Sequence, residues 1–134
     1  QVRLTGDIND AEITGGGEFQ TSPKGKDLTY SPDYSYSVSL NYELGLRNGW
    51  RVNFYVDRGW VAKQYQDPQN TVEIPSYERS NGRVTLISPD ARWRVAIFGN
   101  NLEDDKILRG INETRTSLIW FDPRQIGIEV GYRL

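Results

Sequence analysis

Between residues 33 and 44 the chain reads DYSYSVSLNYEL. Every even position is apolar or aromatic: Tyr34, Tyr36, Val38, Leu40, Tyr42 and Leu44. Every odd position is polar: Asp33, Ser35, Ser37, Ser39, Asn41 and Glu43. A β-strand sends successive side chains to opposite faces, so this alternation describes a strand with one apolar and one polar face. A helix would scatter the even positions around its circumference. No segment of the chain reads convincingly as a helix.

The same period recurs. Val2, Leu4 and Ile8 share a face in 1–8, and Trp50, Val52, Phe54 and Val56 do so in 49–56. Val84 and Leu86 alternate in 82–88 with Ile87 out of step, and Trp93, Val95 and Ile97 alternate in 92–99 with Phe98 out of step. In QIGIEVGYRL, the last stretch, Ile126, Ile128, Val130, Tyr132 and Leu134 alternate with Gln125, Gly127, Glu129, Gly131 and Arg133. Six strands are expected, near 1–13, 30–46, 49–65, 78–88, 92–101 and 117–134. The fold class is therefore all-β, an antiparallel up-and-down meander.

The connections alternate in kind. Asn48-Gly49 in GLRNG (45–49) is a strong hairpin signal, and SPDA (88–91) is a tight turn. The other three joints, near 14–29, 66–76 and 102–116, are long and polar. In a meander successive connections fall at opposite ends, so the long loops share one end and the short turns the other.

Alternation does not say whether the apolar face points into a core or out toward lipid. A soluble barrel does the first; a membrane barrel does the second. The mean hydropathy of −0.65 does not decide it, because a membrane barrel needs only alternate residues apolar. Three features favour the membrane: long loops segregated to one end, strands long enough for a tilted crossing, and aromatics near strand ends. The last are Tyr34, Tyr36, Trp50, Trp60, Tyr65, Trp93, Trp120 and Tyr132, and such rings collect at membrane interfaces. Six strands close no wide barrel, and Gln1 opens directly into a strand pattern, so the chain reads as part of a longer protein. Alone in water it is expected not to stay monomeric without detergent, because its apolar edges would be open.

Composition excludes several functions. The 134 residues include no Cys and no His, which removes disulfides, thiol nucleophiles and the commonest general base and metal ligand. A net charge of −2 gives no reason to expect a nucleic-acid partner. No nucleophile–base pair is visible, so no catalytic residue is assigned and no enzyme is expected. EDD (103–105) reads as a solvated turn rather than a cation site, with no EF-hand spacing around it. GGG (15–17) and GKD (25–27) do not satisfy the phosphate-loop pattern, and NET (112–114) fits a glycosylation sequon.

Over 80–108 the chain runs SNGRVTLISPDARWRVAIFGNNLEDDKIL, and after a last loop it ends DPRQIGIEVGYRL. The first contains a W-x-V-x-[LIF]-[WF]-G-x-N-L-x-D segment, the second a P-R-x-[YI]-G-[LI]-x-[VL]-x-Y-R-[FL] strand. In order and spacing these resemble the C-terminal part of TonB-dependent receptors, and DAEITGGGEF (10–19) and YSPDYSYSVSLNYEL (30–44) resemble the preceding loops and strands. The family usually ends on an aromatic residue; here the last residue is Leu134.

The resemblance implies that residues 1–134 are the C-terminal segment of a 22-stranded outer-membrane barrel. The plug and the TonB-contacting region would lie upstream. It implies uptake of a scarce ligand, an iron–siderophore complex, cobalamin or a glycan, in the outer membrane of a Gram-negative bacterium. The partners it implies are membrane lipid, the plug and upstream strands, TonB and a small-molecule ligand; no cofactor is implied. The alternative is a small soluble β-barrel holding an apolar ligand inside. Glu43, Asp57 and Glu129 fall on the polar face and are expected to line the lumen. Ligand contacts are expected from the long loops, with Tyr30, Tyr65, Tyr77, Arg109 and Arg115 the candidates, since rings and guanidinium groups suit such ligands.

Overall fold

A computed structural model of the chain describes residues 1–8, 10–14, 24–112, 114 and 116–134. Among the described residues ten strands form: β1 (Val2–Ile8), β2 (Tyr34–Gly45), β3 (Arg51–Val61), β4 (Gln64–Tyr65), β5 (Glu73–Ile74), β6 (Tyr77–Ile87), β7 (Trp93–Asn100), β8 (Leu108–Ile111), β9 (Leu118–Trp120) and β10 (Gln125–Tyr132). Six of them make one antiparallel sheet in the order β1-β2-β3-β6-β7-β10. Once the two small pairs are set aside, every neighbour is the next wall strand in sequence, as a meander requires. β4 pairs with β5 and β8 with β9, both within long loops.

The register aligns the even residues of β1, β2, β3, β6 and β10 with the odd residues of β7. Leu40 lies opposite both Val2 and Val56; Phe54 opposite Val84; Val84 opposite Ile97; Ile97 opposite Ile128. All the alternating apolar sets therefore lie on one face, as their period requires. Among the described residues only Leu102 reaches over that face, at Gly82 and Gly99: Leu40, Val56, Val84 and Ile97 are between 43% and 56% exposed, and Ile128 71%. The face is framed by rings. At the long-loop end Trp60 stacks between Tyr34 and Tyr36, with centroids 4.8 and 5.7 Å away. At the short-turn end Trp93 meets Tyr132 at 4.7 Å.

The opposite face is a hydrogen-bonded lattice. Thr5 and Ser37 share a bond of 2.6 Å, Asn53 Nδ2 donates to Asn41 Oδ1 at 2.7 Å, and Asn81 Nδ2 donates to Asp57 Oδ2 at 2.9 Å. Arg51 pairs with Glu43 at 3.4 Å, and Arg83 reaches over β7 to Glu129 at 2.8 Å. Glu43, Asp57 and Glu129 thus lie on the polar face, the first two with a partner from the neighbouring strand and Glu129 with one two strands away. Cross-strand pairs of this kind contribute about 0.2–1 kcal/mol each. Ile87 and Phe98, out of step for the apolar face, are in step for this one. Phe98 lies over Gly127, where a Cβ would come within 2.5 Å of its Cζ, and under the Arg83 guanidinium at 5.8 Å.

Both short turns are built as their residues dictate. Asn48 and Gly49 take left-handed φ of 70° and 80°. In the second turn Ser88 Oγ donates to Asp90 Oδ1 at 2.5 Å and accepts from Trp93 N at 2.9 Å. The Ser88 bond, with the Arg92 backbone N–H, holds the Asp90 carboxyl below the usual carboxylate range.

Four strand boundaries differ from expectation, one of them the end of β3, at Val61 rather than 65. β1 stops at Ile8 rather than continuing to 13. β2 begins at Tyr34 rather than 30, because Tyr30 takes a left-handed φ of 55° and Pro32 has no N–H to give a ladder. The expected strand 117–134 is two: β9 pairs inside a loop, and β10 starts only at Gln125. Pro123 offers no N–H there, and the Asp122 carbonyl is taken by Asn101 Nδ2 at 3.3 Å. Tyr65 and Trp120 accordingly belong to the loop sheets, not to the ends of wall strands.

Candidate functional site

The long loops stand together at one end and are tied to one another. In the first, Ile13 N donates to Lys26 O at 2.9 Å, folding the loop back on itself. Its return arm meets the second loop: Asp27 N donates to Asn70 Oδ1 at 2.9 Å, Asn70 Nδ2 returns to Asp27 O at 3.1 Å, and Tyr30 N donates to Tyr65 O at 2.8 Å. Asn70 can do this because the Asp67 carboxylate organises the turn, accepting from Thr71 N at 3.0 Å and Val72 N at 2.7 Å. The second loop grips the third through Gln66, whose Oε1 accepts from Ile111 N at 2.6 Å while Nε2 donates to Ile111 O at 2.5 Å. Ile111 lies opposite Leu118 in the β8–β9 pair, and the Gln66 amide takes its backbone N–H and C=O as a further strand would. In the third loop Asn112 Oδ1 accepts from Thr116 N at 2.8 Å and Ser117 N at 2.9 Å, closing the β8–β9 hairpin. Ala62, Ile74 and Ile107 are buried beneath this end.

Tyr30, Gln64, Gln66, Arg109, Ile119 and Phe121 surround a cavity of about 460 Å³. Its wall comes from all three loops. Arg109 lies over the Phe121 ring, with Cζ 5.8 Å from the centroid, and makes no ion pair among the described residues. Tyr77 meets the same Phe121 ring at 5.6 Å. At Gly110 a Cβ would lie 2.8 Å from Gln66 Oε1 and 3.7 Å from the Tyr30 hydroxyl, so a side chain there would push the Gln66 amide off Ile111. Beside the cavity Lys63 Nζ donates to the Tyr65 hydroxyl at 3.5 Å and approaches Glu73 at 3.7 Å. The tyrosine, then the carboxylate, raise its pKa. The chemistry on offer is the Arg109 guanidinium, phenol rings and amide groups around a partly apolar hollow, which suits an anionic or phenolic ligand of modest size.

The acidic stretch 103–105 is spent on structure. Asn101, fully buried, takes a left-handed φ of 50°. Its Oδ1 accepts from Asp105 N at 3.3 Å, its Nδ2 donates to Asp105 O at 3.0 Å, and its N–H donates to Asn81 Oδ1 at 3.2 Å. Glu103 accepts from Ser80 N at 3.0 Å, and hydrogen bonding from Ser80 lowers its pKa. Asp104 Oδ1 accepts from Arg124 N at 3.1 Å. These bonds bring β7 and β10 back into register across the last loop.

Two solved structures overlay almost the whole chain. BauA, the ferric preacinetobactin receptor from Acinetobacter baumannii, matches with a TM-score of 0.77 and 18% identity, covering 98% of this chain and 19% of that one. FyuA, the ferric yersiniabactin uptake receptor from Yersinia pestis, matches with a TM-score of 0.74 and 17% identity, covering 98% of this chain and 20% of that one. The fold is that of a portion of the β-barrel of TonB-dependent receptors. The chain spans about a fifth of the length of these receptors. No family model and no curated protein matches the sequence. Both solved relatives are receptors rather than enzymes.

Tyr30 and Arg109 are brought to one cavity. Tyr65 adjoins it through its backbone bond to Tyr30, and Tyr77 through Phe121. Arg115, with Glu113 of the sequon and the glycines at 15–17, lies outside the described residues. Gln66, Asn70, Asn101 and Phe121 were not expected. For Asn101 the signal is the N-L-x-D segment itself, at the end of a strand. Nothing in the local sequence marks Gln66.

Proposed function

We propose that this chain is the last wall segment of a TonB-coupled outer-membrane receptor of a Gram-negative bacterium, and that the receptor takes up a ferric siderophore. The plug, the other strands and the TonB-contacting segment belong to the remainder of the protein. The reading is carried by one observation. A single sheet divides into an uncovered apolar band between two sets of rings and a hydrogen-bonded polar face, with every long loop at one end. A bilayer satisfies the first face and a wet lumen the second. The open edges of β1 and β10 favour the same reading, since closure with further strands would pair them. A soluble barrel with an apolar ligand inside fits less well, because its apolar face would be enclosed.

In this reading the ligand first meets the loop cavity. Arg109 and Tyr30 contact it, with Tyr65 and Tyr77 around them; Arg115 stays a candidate on its sequence position alone. The guanidinium answers carboxylate or phenolate oxygens, and the rings answer flat aromatic groups. No bond is made or broken by the wall; the energy comes through TonB. The test uses the full-length receptor in iron-starved cells and radio-iron carried by siderophores. Arg109→Ala and Tyr30→Ala are expected to weaken binding about tenfold or more, the scale of one charge-assisted bond. A protonophore should stop uptake while binding persists. Release of the protein from membranes by carbonate wash, or unchanged binding in both variants, would refute the reading.

A further inference from the structure

On the polar face of β6, Asn81 is spent on Asp57 and Arg83 on Glu129. Arg79, one pleat above Asn81 on the same face, is spent on nothing. It is half-buried and makes no ion pair among the described residues. Its Nε is buried and finds no hydrogen-bond partner among them. A guanidinium so placed calls for an anion, because a buried donor left unpaired has lost its water for no return. Space is kept beside it. Its partner in register on β3 is Gly59, and no Arg79 atom comes within 4 Å of where a Gly59 Cβ would stand. Gly59 is part of a hollow of about 180 Å³, walled by Thr5, Ser35, Ser37 and Val61. Asp7, at its far side, is three strands from Arg79, about 14 Å at 4.8 Å per strand, which is too far to pair.

The hollow adjoins the loop cavity. Val61 lines the first and Gln64, three residues on, lines the second. Tyr77, one pleat above Arg79, meets the Phe121 ring at 5.6 Å, and Arg109 lies over that same ring at 5.8 Å. Two guanidiniums thus bracket two rings, and their surroundings differ. Arg109 has rings about it; Arg79 has hydroxyls and a glycine. A flat phenolate suits the first and a small hydrated oxyanion the second. We propose that Arg79 is a second anion-binding residue of the receptor, which takes a free carboxylate of the ligand over Gly59 while Arg109 holds its phenolate end. The ligand class is thereby narrowed to ferric carriers that bear both groups. The inference rests on the siderophore-receptor reading above.

The test uses the full-length receptor in iron-starved cells and two radio-iron probes: a salicylate-type carrier with one free carboxylate, and its methyl ester. The parent is expected to half-saturate at about tenfold lower concentration with the acid than with the ester, the scale of one charge-assisted bond. Arg79→Gln should abolish that difference. Arg109→Ala should weaken both probes and keep the difference. Should Arg79→Gln lose its heat-modifiable gel shift, Gly59→Val serves instead: it fills the hollow from the facing strand, leaves the charge in place and should also abolish the difference. Equal affinity of the parent for acid and ester would overturn the proposal. So would an acid preference that survives Arg79→Gln or Gly59→Val. Equal weakening of both probes by Arg79→Gln would overturn it too, because Arg79 would then serve another part of the receptor. Uptake from other siderophores but from neither probe sinks the carboxylate inference alone. Failure of the receptor reading looks different: no energised uptake from any siderophore, or release of the protein by carbonate wash.

Discussion

Leu40 and Ser39 are adjacent in β2, at one depth, with side chains on opposite faces. Arginine at each position isolates which face meets lipid. Leu40 lies four residues below Tyr36, which at about 3.4 Å per residue and a tilt near 45° is about 10 Å below the upper ring belt. In an apolar band about 25 Å tall that is close to the midplane, where an arginine facing lipid costs about 2–4 kcal/mol. The folded-to-unfolded ratio for Leu40→Arg should fall roughly 30- to 900-fold, at 1.36 kcal/mol per tenfold. Ser39 lies between Arg3 and Asp57, so a guanidinium there meets one like and one opposite charge. Ser39→Arg should stay within about 0.5 kcal/mol, the usual range for a substitution that disturbs no packing. The assay is guanidinium unfolding of the full-length receptor in lipid vesicles, followed by tryptophan fluorescence and by heat-modifiable gel migration. Equal costs for the two variants, or a larger cost for Ser39→Arg, would refute the assignment of faces.

Gln66→Ala removes both bonds to Ile111 and leaves a part-buried N–H and C=O unpaired, a loss of about 1–3 kcal/mol confined to the loops; hydrogen exchange should quicken over 108–120 and stay unchanged in β2 and β3. Gly127→Ala forces a methyl against Phe98 and should cost about 1–3 kcal/mol. Gly131→Ala, where the nearest atom is Arg94 Cβ at 4.0 Å, should be tolerated, and a thermal melt of the pair in detergent checks the difference. Glu103 has a lowered pKa in the fold, so it binds a proton less readily folded than unfolded. Its stabilising effect is then full above the ordinary carboxylate pKa of about 4 and lost as pH falls through the lowered folded value. Proteolysis of the 101–105 turn between pH 6 and pH 3 should rise at the acid end in the parent and show a smaller pH dependence in Glu103→Gln.

Much of the wall was legible in the residues. The even-position apolar runs define faces without reference to anything distant, and Asn48-Gly49 and Ser88-Pro89-Asp90 define turns by local backbone preference. The loops were not legible in the same way. Leu118, Ile119 and Trp120 have good strand residues and continue toward 125–134, so a local reading joins them. What separates them is Asn101, about twenty residues earlier in the chain, taking the Asp122 carbonyl. The gathering of Tyr30 and Arg109 likewise depends on amides, Asn70 and Gln66, that carry no periodicity.

The sequence by itself determined which side chains share a face, where the short turns fall and that the long loops share an end, because these follow from a two-residue repeat and from φ preferences of single residues. Only the tertiary structure decided that, among the described residues, nothing but Leu102 folds back over the apolar face, at Gly99, and that three loops close around one cavity. Each of those depends on contacts between residues far apart in the chain, and free energy of that kind is invisible to any local pattern.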